Sequence, residues 1–189
     1  MRPGRPSSTT RGELELIALK LFAARGFEQT TVDDIAEAAG IARRTFFRYF
    51  ASKNDVVWGD FDRALEDFRA QLASVPEDVP LIEGLTQAVL AFNKLPPGAE
   101  PQHRVRMAMV LHTPALQAHS TLRYAGWRAV VAEYGSRRLA LPADDLAPQL
   151  LAHQALASCV AAYEHWLVRR GSRLPSLLRT ALDRLASSW

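Results

Sequence analysis

Apolar residues recur at helical spacing along almost the whole chain, and strand-like alternation is absent. Leu14, Ile17, Ala18, Leu21 and Phe22 share one face of a helix that opens at Thr10. Gly26 is expected to end it as a left-handed cap. Thr31 opens a shorter helix with Asp33 and Asp34 in its first turn, where the helix dipole favours negative charge. Gly40 breaks that helix, and Ile41 leads into a third over 42–50. A fourth starts at Ser52 and reads without interruption through SKNDVVWGDFDRALEDFRAQLASV. Pro76 and Pro80 bracket a loop. Further helices are predicted at about 81–94, 101–112, 115–140, 144–170 and 173–187, separated by LPPG, HTP, LPADD and RGSRLP. The fold class expected is all-α.

The third helix has an unusual make-up. GIARRTFFRYFASK, residues 40–53, places three arginines and four aromatics close together with no acid. Phe46 and Phe50 are four apart and share a face that can pack on the first two helices. Arg43 and Phe47, and likewise Arg44 and Arg48, fall on the opposite side, and Tyr49 is expected to project outward with them. A short helix, a Gly-containing turn and a second helix with an exposed basic face make a helix-turn-helix. Such a second helix fits the major groove of B-DNA. The planar arginine fork matches two guanine acceptors at once. Lys53 and the backbone N–H groups at Thr31 suit phosphates. A solvated basic helix over an ordinary core is the alternative.

Charge segregation sharpens this picture. The net charge is only +3 and 48% of residues are apolar, enough for a real core. MRPGRPSSTTRG carries Arg2, Arg5 and Arg11 without an acid, and can lie along phosphates or in a minor groove. Two basic blocks separated by an acidic one point to a polyanion partner. The lone Cys159 fits a reducing compartment, and no signal or membrane-length apolar run is present. A cytoplasmic protein is expected. The five histidines lack metal spacing, and no phosphate loop or nucleophile elbow is found, so neither an enzyme nor a cofactor is expected.

ELIALKLFAARGFEQTTVDDIAEAAGIARRTFFRYFASKNDV resembles the DNA-binding region of TetR-type transcriptional regulators, over about residues 10–57. The resemblance implies a phosphate contact from Thr31 and another from Lys53. It also implies a recognition helix in which Arg43, Arg44, Thr45, Phe47, Arg48 and Tyr49 face DNA, assisted by Arg5. Phe47 stands where the family usually has Tyr, and Arg44 replaces a frequent Gly. RRTFFRYFASKNDVVWGDFD, AFNKLPP and TPALQAHSTLRYAGWRAVVAEY resemble the mycofactocin-system regulators. That similarity implies control of genes for a peptide-derived redox cofactor, with long-chain acyl-CoA as effector.

The expected organisation is a helix-turn-helix domain with its basic arm at 1–56, and a helical ligand-binding and dimerisation domain at 57–189. Candidate pocket residues are Phe61, Leu65, Met107, Val110, Leu111, Leu116, Tyr124, Trp127, Gln154 and Ser158, for an apolar ligand such as an acyl chain. Plain core packing is the alternative for each. Arg104, Arg106, Arg123 and Arg128 are read as CoA-phosphate contacts or as solvated charges. Small and apolar residues in DDLAPQLLAHQALASCVAAYEHWLVRR, with the last helix, suit a homodimer interface. The function expected is a repressor on a near-palindromic operator; a lipid carrier with an incidental basic helix is the rival.

Overall fold

The computed structural model describes residues 9–189, and no strand occurs among them. The helices are α1 (Arg11–Arg25), α2 (Val32–Ala38), α3 (Arg43–Tyr49), α4 (Lys53–Trp58), α5 (Phe61–Ala73), α6 (Leu81–Phe92), α7 (Glu100–His112), α8 (Pro114–Leu139), α9 (Leu146–Val168) and α10 (Leu174–Asp183). The arm residues Arg2 and Arg5 lie outside the described part of the chain.

Local chemistry sets the helix starts. Thr10 accepts from the Glu13 amide at 3.2 Å while its own amide donates to the Glu13 carboxylate at 2.8 Å. Thr31 and Asp34 repeat this reciprocal box at α2. Ser52 caps α4 and Asp145 caps α9 in the simpler way, and Pro114 begins α8 where no amide is needed. Gly26 ends α1 at φ 88°, but its ψ of 152° is extended rather than left-handed helical.

The fourth helix differs from its prediction. The unbroken pattern from Ser52 is split at Gly59 into α4 and α5. Gly59 adopts φ 58° and ψ −133°, which a side chain would strain. It is also buried, and an added Cβ would lie 2.9 Å from Arg106 Nη1 and 3.1 Å from Glu15 Oε2. Periodicity continues across the break because each half keeps an apolar face, Val56 and Val57 in α4 and Phe68 and Leu72 in α5.

Two apolar cores result. One gathers Leu14, Ala18, Phe22, Ile35, Phe46, Phe50, Val56 and Val57 from α1–α4, and also takes Val110 of α7 and Leu116 of α8. The other joins α5, α6, α8, α9 and α10 around Phe68, Trp127, Tyr134 and Trp166. Met107 of α7 packs against both. The N-terminal unit is therefore seated on α7 and α8 through shared apolar packing as well as through the chain itself.

Candidate nucleic-acid interface and effector cavity

The turn before α3 needs Gly40 at φ 64°. It directs α3 so that Phe46 and Phe50 are sunk in the core, 0% and 2% exposed, while Phe47 is 44% exposed. Arg43, Arg44 and Arg48 are exposed beside Phe47, as the spacing predicted. Arg43 donates to Asp33 at 2.6 Å and lies 5.5 Å from the Phe47 ring centroid. That pair is open to solvent and easily exchanged. Arg44 has no ion pair or hydrogen bond among the described residues. Thr45 is half-buried on the same helix.

Three other candidates are engaged with the protein itself. The Tyr49 hydroxyl donates to the Thr9 carbonyl at 2.7 Å and accepts from Arg48, so Tyr49 is half-buried rather than fully outward. It ties the entering chain to α3. The Thr31 amide and hydroxyl both donate to the Asp34 carboxylate. The hydroxyl bond first, and then the amide bond, hold the Asp34 carboxyl below the usual range. The amide and hydroxyl of Thr31 itself are thus occupied by its own helix. Lys53 donates to the carbonyls of Phe27 at 2.9 Å and Thr30 at 3.2 Å, with Glu28 at 3.4 Å, and its ammonium sits 4.4 Å from the Phe27 ring centroid. It closes the α1–α2 loop.

Behind this unit lies a cavity of about 460 Å³, within the range of small-molecule sites. Phe61, Met107, Val110, Leu111, Tyr124 and Trp127 line it. Leu65, Leu116, Gln154 and Ser158 do not. Leu116 is buried in the N-terminal core, and the Gln154 amide oxygen accepts from the Trp189 indole at 2.8 Å. Leu65 packs on the C-terminal core instead, and nothing further defines Ser158. Helical spacing identifies an apolar face but not which neighbour that face meets.

Of the cavity's polar groups, Tyr124 and Arg106 were legible in the sequence, but Tyr163, Asn93 and His103 were not. Tyr163 donates to Asn93 Oδ1 at 2.6 Å, and Asn93 in turn donates to the Val89 carbonyl. The Tyr163 oxygen therefore receives the Nε2 proton of His103, 3.0 Å away. That selects the tautomer with an unprotonated Nδ1. Burial, and then the charge of Arg106, push the His103 pKa down to about 4, so the ring is neutral. Burial alone pushes the Cys159 thiol, also on the wall, up to about 12. It is an unreactive wall residue. The Trp58 indole N–H, on the same wall, is buried without a partner among the described residues.

Arginines expected at the surface instead connect elements. Arg106 joins α7 to Glu15 of α1 and, at 3.1 Å, to the Val57 carbonyl of α4. Arg123 of α8 holds Asp55 of α4 at 3.1 Å and also Asp62 of α5. Burial works against the Asp55 carboxylate, but the Ser52 hydroxyl and Arg123 outweigh it and keep its carboxyl below the ordinary range. Arg104 stacks on Trp166 at 3.9 Å. The short α4 is thus gripped on both sides, and one side is the cavity wall.

Residues 17–57 match the tetR family of bacterial regulatory proteins, and residues 79–189 match the MftR C-terminal domain. The chain belongs to the TetR family. This regulator is 44% identical to the "Putative mycofactocin biosynthesis transcriptional regulator MftR" of Mycobacterium tuberculosis, over 96% of its own length and 92% of that protein's. Among solved structures it resembles the fatty acid degradation regulator FadR of Bacillus halodurans, with a TM-score of 0.69, 17% identity and coverage of 96% and 97%. It also resembles Thermus thermophilus FadR in complex with lauroyl-CoA, with a TM-score of 0.58, 23% identity and coverage of 94% and 93%. Those two likenesses concern the fold. TetR-family proteins are DNA-binding transcription regulators rather than enzymes, and the regulator is one of the mycofactocin-related group. Among its described residues no helix is long and apolar enough to cross a membrane.

Proposed function

We propose that the regulator is a homodimeric repressor of mycofactocin genes, released from its operator by an apolar effector of the long-chain acyl-CoA class. One observation carries the reading. The cavity wall includes Val57 and Trp58 of α4, the helix that directly follows the exposed basic face of α3. Filling the cavity bears on α4, and α4 bears on the recognition helix. A ligand acts only through its unequal affinity for the two arrangements. The largely apolar lining suits an acyl chain, and a FadR of the same fold binds lauroyl-CoA.

The DNA contacts in this reading are Arg43, Arg44, Arg48 and Phe47 at the groove, with Thr45, Tyr49 and Thr31 at its edge and Arg5 in the arm, while Lys53 supports them from within by closing the α1–α2 loop. Leu146 and Val168 of α9 are 78% and 81% exposed, and a second copy covering α9 and α10 would shelter them. Two recognition helices then stand about 34–36 Å apart, one turn of DNA, on a near-palindromic site. The test is duplex binding to DNA from the regulator's own promoter over a salt series, with and without lauroyl-CoA. Repression and release require a steep negative dependence on log salt and loss of binding on adding the ligand. A salt-independent protein that binds lauroyl-CoA alone would be a carrier.

A further inference from the structure

Arg106 stands where the cavity meets the DNA-binding unit. Its guanidinium holds the Glu15 carboxylate of α1 and the Val57 carbonyl of α4, and both Glu15 and Arg106 line the cavity. Their side chains are only 18% and 19% exposed. Gly59, the break between α4 and α5, lies directly beneath the pair. One ion pair therefore links α7, α1 and the break, and it is accessible to whatever occupies the cavity.

A shielded pair persists only while each charge keeps a partner. A ligand can part this one by bringing an acid to Arg106 or a cation to Glu15. The surroundings favour the acid. Glu15 has a substitute cation one helical turn earlier on its own helix, Arg11. Arg106 offers a planar fork of five donors, two of which hold Val57 and Glu15. His103, one turn before Arg106, is neutral and brings no competing proton. Asp60, the remaining acid on the wall, lies at the solvent-exposed side. Beyond Arg106 much of the wall is apolar, with Phe61, Phe92, Met107, Leu111 and Leu156, and can take an aliphatic body.

We propose that the effector is an amphiphile whose anionic head group, a carboxylate or a CoA phosphate, takes Arg106 from Glu15. The idea rests on reading the cavity as the regulator's effector site. Glu15, once displaced, turns to Arg11. Arg11 now donates to the Tyr49 carbonyl at 3.1 Å and to the Gly59 carbonyl at 2.9 Å. Drawing it toward Glu15 loosens the bonds that tie α1 to the end of the recognition helix and to the α4–α5 break. Ligand chemistry at Arg106 thereby reaches α3 through two successive partner exchanges.

Binding can be read without DNA, because Trp58 and Trp127 line the cavity and report by fluorescence. The full chain is titrated with laurate, lauroyl-CoA, dodecanol and dodecylammonium. Laurate or lauroyl-CoA should bind about tenfold or more tighter than dodecanol, and the tighter of the two identifies the anion. Glu15→Gln keeps the side chain's volume but removes the competing charge, and should tighten the acyl ligand by about tenfold again. Arg106→Gln should erase the preference over dodecanol; if that variant does not fold, Glu15→Gln decides alone. Equal binding of dodecanol, tightest binding of dodecylammonium, or no gain in Glu15→Gln overturns the proposal. A protein that passes these titrations yet ignores duplex DNA keeps the exchange and loses the regulator reading.

Discussion

Replacing Lys53 with Met separates structural from DNA-contacting roles in the basic segment. The ammonium makes two carbonyl bonds of good length, 2.9 Å and 3.2 Å, and a longer one of 3.4 Å. It also lies over the Phe27 ring. A charged donor to a carbonyl contributes about 1.5–3 kcal/mol, and partial exposure places Lys53 toward the lower end of that range. Thr30 and Phe27 are buried, so the carbonyls that lose their donor are poorly placed to gain water. Met fills the space of the aliphatic stem but offers nothing to them. The expected loss is about 2 kcal/mol. For a chain of this length each kcal/mol shifts the midpoint by about 2–4 °C, so Tm should fall by about 4–8 °C in a circular dichroism melt. Duplex binding should weaken for every sequence alike, because the α1–α2 loop supports the interface. The slope of log affinity against log salt should stay at its wild-type value, since the ammonium faces protein. An unchanged Tm, or a slope reduced by about one, would refute this reasoning and make Lys53 a phosphate contact.

Other perturbations address the remaining parts. Arg44→Ala should leave Tm unchanged, as Arg44 is exposed and makes no ion pair or hydrogen bond among the described residues, and should relax base preference at one operator position by about 1–3 kcal/mol in a competition assay. Phe46→Ala empties the centre of the N-terminal core and should destabilise by about 3–5 kcal/mol in urea unfolding. His103 titrates near 4 when folded and near 6.5 when unfolded. Its contribution is therefore complete above pH 6.5 and is lost as pH falls toward 4, by up to about 3 kcal/mol. His103→Phe should flatten that window in stability measured against pH. Gly59→Ala should destabilise by about 1–3 kcal/mol, since its φ is positive and the added methyl meets Arg106 and Glu15.

Much of the molecule was legible from local patterns. Helical spacing located nearly every helix, and capping residues such as Thr10, Thr31 and Ser52 marked starts to within a residue. The division of α3 followed from four-residue spacing alone: Phe46 and Phe50 inward, Arg43, Arg44, Arg48 and Phe47 outward. These features are short-range. A helix face repeats every turn whatever surrounds it, and a cap depends on atoms three residues away.

The remainder depended on which surfaces meet. Gly59 reads as one weak residue in a continuing helix, but in the fold it turns the chain at a positive φ beside Glu15 of α1 and Arg106 of α7. Leu116 and Met107 have the same apolar character, yet one closes the N-terminal core and the other borders the cavity. Lys53 and Thr31 offer donors in sequence, but nearby carbonyls and the Asp34 carboxylate take them up first. Glu15 and Arg106 are ninety-one positions apart and pair only because α7 lies against α1. Long-range pairing of polar groups leaves no periodic trace along a chain, because its geometry is created by packing and not by the helix repeat.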